Sequence, residues 1–182
     1  ALQTIKNNLT TPVAYYRAEM LDSSEKAQKL LGNVESALHE EQFKVWFQPQ
    51  YDCTTHRLSG AEALIRWQHP QNGMISPGEF IPLLEHSNLI TEVDRYIWEK
   101  TCKYLHDWNA MGLTLPVSVN ISRMDLYKTD LPEYFTELVR RYDLQPAQLR
   151  LEITESACMD KADQLISMVN RFRAAGFTVE ID

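Results

Sequence analysis

Four residues of this chain could together hold a hard cation: Glu62, Asn120, Glu152 and Asp182. Each stands in a short stretch where apolar and polar side chains alternate. Over 60–66, Ala61, Ala63 and Ile65 alternate with Gly60, Glu62, Leu64 and Arg66. Over 117–122, Val117, Val119 and Ile121 alternate with Ser118, Asn120 and Ser122. Over 149–154, Leu149, Leu151 and Ile153 alternate with Arg150, Glu152 and Thr154; over 178–182, Val179 and Ile181 oppose Thr178, Glu180 and Asp182. A period of two puts each polar set on one side of a strand. Three carboxylates and one amide oxygen suit Mg²⁺, Mn²⁺ or Ca²⁺, and not zinc or copper. Ions of that kind let an acidic protein act on a phosphate ester. A solvated carboxylate, or an amphipathic antiparallel sheet, produces the same alternation.

The elements that must position these residues read as strands separated by helices. Pro12–Tyr16 reads as a short strand. Ala27, Leu30, Leu31, Val34, Ala37 and Leu38 recur at helical spacing behind a Ser24 cap and predict a helix over 24–41. Strands are expected over 44–51 and 58–67, antiparallel because only the polar turn 52–57 joins them. Helices follow over 77–86, opened by Pro77, and 91–111, stopped by Gly112. Then come a strand over 116–122, a helix over 131–142, a strand over 149–154, a helix over 160–175 ended by Gly176, and a strand over 178–182. Strands alternating with helices indicate parallel βα units in an α/β barrel or an open sheet. A parallel sheet covered on both faces has strands that are apolar throughout. Four strands here depart from that in the same way. Their polar sides must then face a barrel interior or a cleft, where buried carboxylates need partners or metal.

Bulk properties narrow the class. The 182 residues, 44% hydrophobic and 24% charged, suit one ordinary globular domain. A net charge of −7 argues against a nucleic-acid partner. Cys53, Cys102 and Cys158 are scattered without a CxxC pair, which fits a reducing compartment and excludes a zinc knuckle. No apolar run reaches membrane-spanning length, and the first residues are not a signal peptide. The expected location is cytoplasmic, with any membrane anchor elsewhere in a longer parent. Trp67, Phe80 and Trp98 read as core aromatics, Arg150 as an ion-pair partner, and His69 and His106 show no ligand spacing.

Particular words of the sequence add a resemblance. Phe47-Gln48-Pro49-Gln50 precedes Gly60-Ala61-Glu62-Ala63-Leu64-Ile65-Arg66-Trp67. Ser76-Pro77-Gly78-Glu79-Phe80-Ile81-Pro82 with Glu85, Val119-Asn120-Ile121-Ser122, Glu152-Ile153-Thr154-Glu155 and Glu180-Ile181-Asp182 follow in order. This set resembles the EAL domain family, with Glu62-Ala63-Leu64 as the signature triplet. The resemblance implies an α/β fold, a modified TIM (β/α)8 barrel with one antiparallel strand. It implies hydrolysis of cyclic di-GMP to pGpG with two Mg²⁺ or Mn²⁺ ions, or, as the alternative, a receptor that binds cyclic di-GMP without turnover. Glu62, Asn120, Glu152 and Asp182 match the family's metal ligands. Glu62 and Glu155 match catalytic-site carboxylates, Glu155 steadying a neighbouring loop and the metals. Arg66 matches a substrate phosphate contact, and Gln48 and Leu64 line the nucleotide pocket.

The match spans residues 34–182. Residues 1–33 resemble, more loosely, the tail of a GGDEF domain and its linker helix, so a covalently linked GGDEF domain is implied. A second EAL domain is implied as a further partner. The family pattern runs on past Asp182 to a second aspartate, a lysine, a glutamate and a glutamine-bearing strand. The 182 residues are therefore expected to hold an incomplete barrel and to be inactive alone.

Overall fold

A computed structural model of the chain describes residues 27–127, 130–153 and 162–181. A helical stretch over 27–32 leads into α1 (Val34–His39). Then follow β1 (Phe43–Tyr51), β2 (Leu58–His69), β3 (Gly73–Ile75), α2 (Pro77–His86), α3 (Ile90–Ala110) and β4 (Val117–Ile121). The last elements are α4 (Leu131–Arg141), β5 (Leu149–Ile153), α5 (Ala162–Ala174) and β6 (Thr178–Ile181). The helix expected over 24–41 is interrupted at Asn33, which becomes the cap of α1. Gly32 and Asn33 are both weak helix formers, so the break falls where propensity is lowest. The strand expected at Pro12–Tyr16 lies outside the described residues. The three-residue β3 was not expected; it is too short to show a period.

Among the described residues, six strands form one sheet in the order β1-β2-β4-β5-β6, with β3 on the far end of β2. β1 and β2 are antiparallel, Gln48 standing opposite Glu62. Their connection is a side-chain turn. Asp52 Oδ1 accepts hydrogen bonds from the Thr54 and Thr55 amides at 3.1 and 2.6 Å and from the Thr55 hydroxyl at 2.8 Å. β2, β4, β5 and β6 run parallel. Parallel neighbours need a crossover, and α3, α4 and α5 lie in the three crossovers.

The crossover helices bury the apolar side of the strands. Val117, Val119 and Ile121 of β4 and Leu149, Leu151 and Ile153 of β5 are fully buried, in one cluster with Trp98 and Leu105 of α3, Phe135 of α4 and Phe172 of α5. Phe135 is the hub, its ring centroid 4.6 Å from Trp98, 5.8 Å from Phe172 and 6.1 Å from Phe177. Burying one such side chain contributes about 1.5–3 kcal/mol. A second cluster joins Val34 of α1 and Phe80 and Leu84 of α2 to Phe43 and Trp67 at the other end of the β1–β2 pair. Trp67, Phe80 and Trp98 are core aromatics, as expected. The alternate strand residues point the other way, where Asn120 is exposed and Glu62, Glu152 and Glu180 are half-buried. α5 stops at Gly176, whose φ of +92° favours glycine. No helix among the described residues is long and apolar enough to cross a membrane.

Candidate metal and phosphate site

Strand register brings the polar residues together. Glu62 of β2 is level with Ser118 of β4. One step further along, Asn120 of β4 is level with Glu152 of β5, and Glu152 with Glu180 of β6. Equal parity places them all on the sheet face turned away from the crossover helices. Glu62 and Asn120 meet directly, the Asn120 amide Nδ2 donating to Glu62 Oε1 at 3.0 Å. An asparagine that spends its NH₂ on a carboxylate keeps its carbonyl oxygen for another partner.

β1 adds a second polar row. Gln48, Trp46 and Lys44 stand opposite Glu62, Leu64 and Arg66. The Arg66 guanidinium lies 5.6 Å from the centre of the Trp46 ring and donates to the Ile65 carbonyl at 2.8 Å. Trp46 is 55% exposed, high for the largest apolar side chain. Of the residues singled out from sequence, Gln48, Glu62, Leu64, Arg66, Asn120 and Glu152 thus share one face. Glu155 and Asp182 lie outside the described residues.

Glu180 was not singled out, though its parity was visible. It accepts a hydrogen bond from Ser118 Oγ at 3.1 Å, and Arg150 Nη1 lies 3.6 Å from its other oxygen. Arg150 is therefore an ion-pair partner, as expected. His69 and His106 engage backbone: His69 Nδ1 accepts the Gln71 amide at 3.1 Å, and His106 Nδ1 lies 2.9 Å from the Tyr142 carbonyl.

Behind the site, α3 touches the end of β4. Trp98 Nε1 donates to the Asn120 carbonyl at 3.0 Å. One helical turn earlier, Asp94 faces Ser122 and Asp125. Burial above all, then the charge of Asp125, pushes the Asp94 carboxyl well above the usual carboxylate range. A cavity of about 220 Å³ opens here, its wall including Leu64, Arg66, Glu85, Asp94, Asn120 and Ser122. Sequence reasoning missed Asp94. Its signal was an acid on the buried stripe of α3, between Val93 and Ile97.

The donors suit a hard divalent cation. Glu62 and Asn120 already touch, Glu152 neighbours Asn120 in register, and all three offer oxygen. Among the described residues no three His, Cys, Asp or Glu side chains form a metal-holding group, and the expected fourth donor, Asp182, is not among them.

The family model of the EAL domain matches residues 32–182. The chain is 33% identical over 170 residues to the cyclic di-GMP phosphodiesterase PA2567 of Pseudomonas aeruginosa, covering 93% of this chain and 29% of that protein. It is 30% identical over 169 residues to the bifunctional diguanylate cyclase/cyclic di-GMP phosphodiesterase MucR of the same organism, covering 92% of this chain and 25% of that one. It thus spans under a third of either relative's length. Among solved structures, the PaMucR phosphodiesterase in its c-di-GMP complex superimposes with a TM-score of 0.81 at 32% identity, over 85% of this chain and 63% of that one.

Proposed function

The chain belongs to the EAL domain family, and from that footing we propose that it is part of a phosphodiesterase that opens cyclic di-GMP to linear pGpG. Its α/β sheet, with an antiparallel first strand, is an incomplete part of the modified TIM barrel of these domains. The observation that carries the reading is the contact of Glu62 with Asn120, with Glu152 beside it, on the face the helices leave open.

Glu62, Asn120, Glu152 and Asp182 would hold two Mg²⁺ or Mn²⁺ ions. When bound, such ions supply positive charge to an anionic diester and make water a better nucleophile. Asn120, being neutral, limits the negative charge that the substrate meets. Arg66 offers a planar guanidinium matched to phosphate oxygens. Gln48 and Leu64 line the nucleotide side, and the exposed Trp46 offers a ring face on which a purine base can stack. Glu155 would steady a neighbouring loop and the metal site. Residues 34–182 belong to the EAL domain, and residues 1–33 to the tail and linker helix of a preceding GGDEF-like domain. The other expected partner is a second EAL domain, and the working compartment is the cytoplasm.

The test is a chromatographic assay for pGpG with Mn²⁺ on the complete protein carrying this chain, beside calorimetric binding of cyclic di-GMP. Turnover that EDTA abolishes is expected. Binding without pGpG would make the protein a receptor, and absence of binding would overturn the reading.

A further inference from the structure

The strand end that carries Asn120 is held from behind at two points. The first is the bond from Trp98 Nε1 to the Asn120 carbonyl, 3.0 Å long. The second lies four residues earlier on the same helix and two residues further along the strand, where the chain turns at Ser122 into a 3₁₀ segment, Asp125–Tyr127. Asp125 ties that turn. Its Oδ2 accepts the Ser122 amide at 3.1 Å and also the Ser122 hydroxyl, and its own amide donates to the Ser122 carbonyl at 3.1 Å. Asp125 is fully buried, yet among the described residues no amide, hydroxyl or basic group donates to its Oδ1.

The group facing Asp125 is the carboxyl of Asp94, within hydrogen-bonding reach. Two carboxylates cannot bond to each other; a carboxylic acid and a carboxylate can. Asp94 as a residue keeps some exposure, but its carboxyl end is the enclosed part. The other charges around it are of both signs. α2 contributes Glu85, whose charge adds to that of Asp125. β2 contributes Arg66 on the wall of the same cavity. Arg95, next on α3, lies instead over the Tyr134 ring, 4.9 Å from its centre.

We propose that Asp94 is a positioning residue: with Trp98 it forms a two-point strut from α3 to the end of β4, closed by a proton shared between Asp94 and Asp125, and this strut fixes where Asn120 stands relative to Glu62. Asp94 touches neither substrate nor metal. It acts through Ser122 and Asp125. The effect on hydrolysis rests on the phosphodiesterase reading; the shared proton does not.

The sign of the pH dependence follows. The unfolded carboxyl releases its proton around the ordinary value of 3.8, while the folded one keeps it to higher pH. The strut's contribution to stability is therefore complete below that ordinary value. It is lost progressively as pH rises from there through the raised folded value.

The experiment compares the complete protein with its Asp94→Asn and Asp94→Ala variants. An asparagine donates to Asp125 at every pH; an alanine never does. Infrared difference spectra, wild type minus Asp94→Asn, should show the carbonyl stretch of a protonated carboxylic acid at neutral pH. Asp94→Ala should lower kcat by about 10–100-fold, the usual cost of removing a group that orients a metal ligand, with a smaller change in KM. Asp94→Asn should restore most of that loss and flatten the alkaline side of the pH–rate profile. A missing acid band, or an asparagine variant as impaired as the alanine one, overturns the proposal. If the alanine variant does not fold, the infrared band and the asparagine profile still decide it. A wild-type protein that binds or cleaves no cyclic di-GMP would sink the phosphodiesterase reading, and the infrared band would then decide the strut by itself.

Discussion

Glu62 is where the loss of a few atoms should separate activity from stability most clearly. It is half-buried and sits outside both apolar clusters, so Glu62→Ala removes a charge without opening a core cavity. Hydrolysis should fall by at least the roughly 10–100-fold that follows loss of a supporting metal contact, with the melting temperature nearly unchanged. Melting and pGpG production, measured on one preparation, check this; wild-type turnover at saturating Mg²⁺ would refute it. Arg66→Lys keeps the charge but loses the fork. A charged hydrogen bond is worth about 1.5–3 kcal/mol, so KM should rise tenfold or more while kcat changes less. Trp46→Ala should weaken nucleotide binding by about 1–3 kcal/mol, the value of a base–aromatic stack, with Trp46→Phe retaining most of it. Calorimetry decides between them. At this scale Glu62, Asn120 and Glu152 were legible because strand parity is a local, repeating signal. Asp94, and the bond from Trp98 to Asn120, were not, because the partners lie tens of residues away on another element and no period encodes such a contact.

Elements were legible wherever a period ran long enough to be seen. α3 and α4, with apolar residues at helical spacing, appear close to their expected bounds, and β2, β4, β5 and β6 follow the alternation. β3 and the break at Asn33 escaped, the first for its length and the second because helical spacing continues through a weak point. Helix ends make a testable case. At Gly176 the backbone is left-handed, and an added Cβ would lie 3.4 Å from the Pro146 ring carbon Cβ. Gly176→Ala should cost about 1–2 kcal/mol, mostly as backbone strain, and lower the urea midpoint without changing the slope. Phe135→Ala should cost more, about 3–5 kcal/mol, because it opens a cavity among Trp98, Phe172 and Phe177.

For the molecule as a whole, alternation predicted a sheet with one apolar and one polar side, and the two clusters confirm that sidedness. It could not give strand order, which depends on how each crossover returns. The barrel reading came from the ordered motifs, not from periodicity. A thiol pair reports on this architecture. Cys53 is exposed in the β1–β2 turn, and Cys102 is buried within the larger cluster. Burial pushes the Cys102 thiol up to about 12, with Glu99 adding to the effect. Iodoacetamide at mildly alkaline pH should therefore label Cys53 at once and Cys102 only when the core opens. Mass spectrometry with time gives the opening rate directly; prompt labelling of Cys102 in the native protein would contradict the packing described.

The turn at Asp52 has a kinetic consequence. Gln48 and Glu62 are brought face to face by a short hairpin, whereas Glu62 and Asn120 meet only across 58 positions of chain. Closing a short loop costs less entropy than closing a long one, and local pairings form first. One wall of the site should thus exist in the folding transition state, and the other should be added after α2 and α3 have docked. Asp52→Ala, which removes three hydrogen bonds from the turn, should slow folding while leaving unfolding almost unchanged. Val119→Ala, in the buried side of β4, should chiefly speed unfolding. Stopped-flow tryptophan fluorescence across a urea series reads both limbs, and the reverse assignment would mean that the long-range wall assembles first.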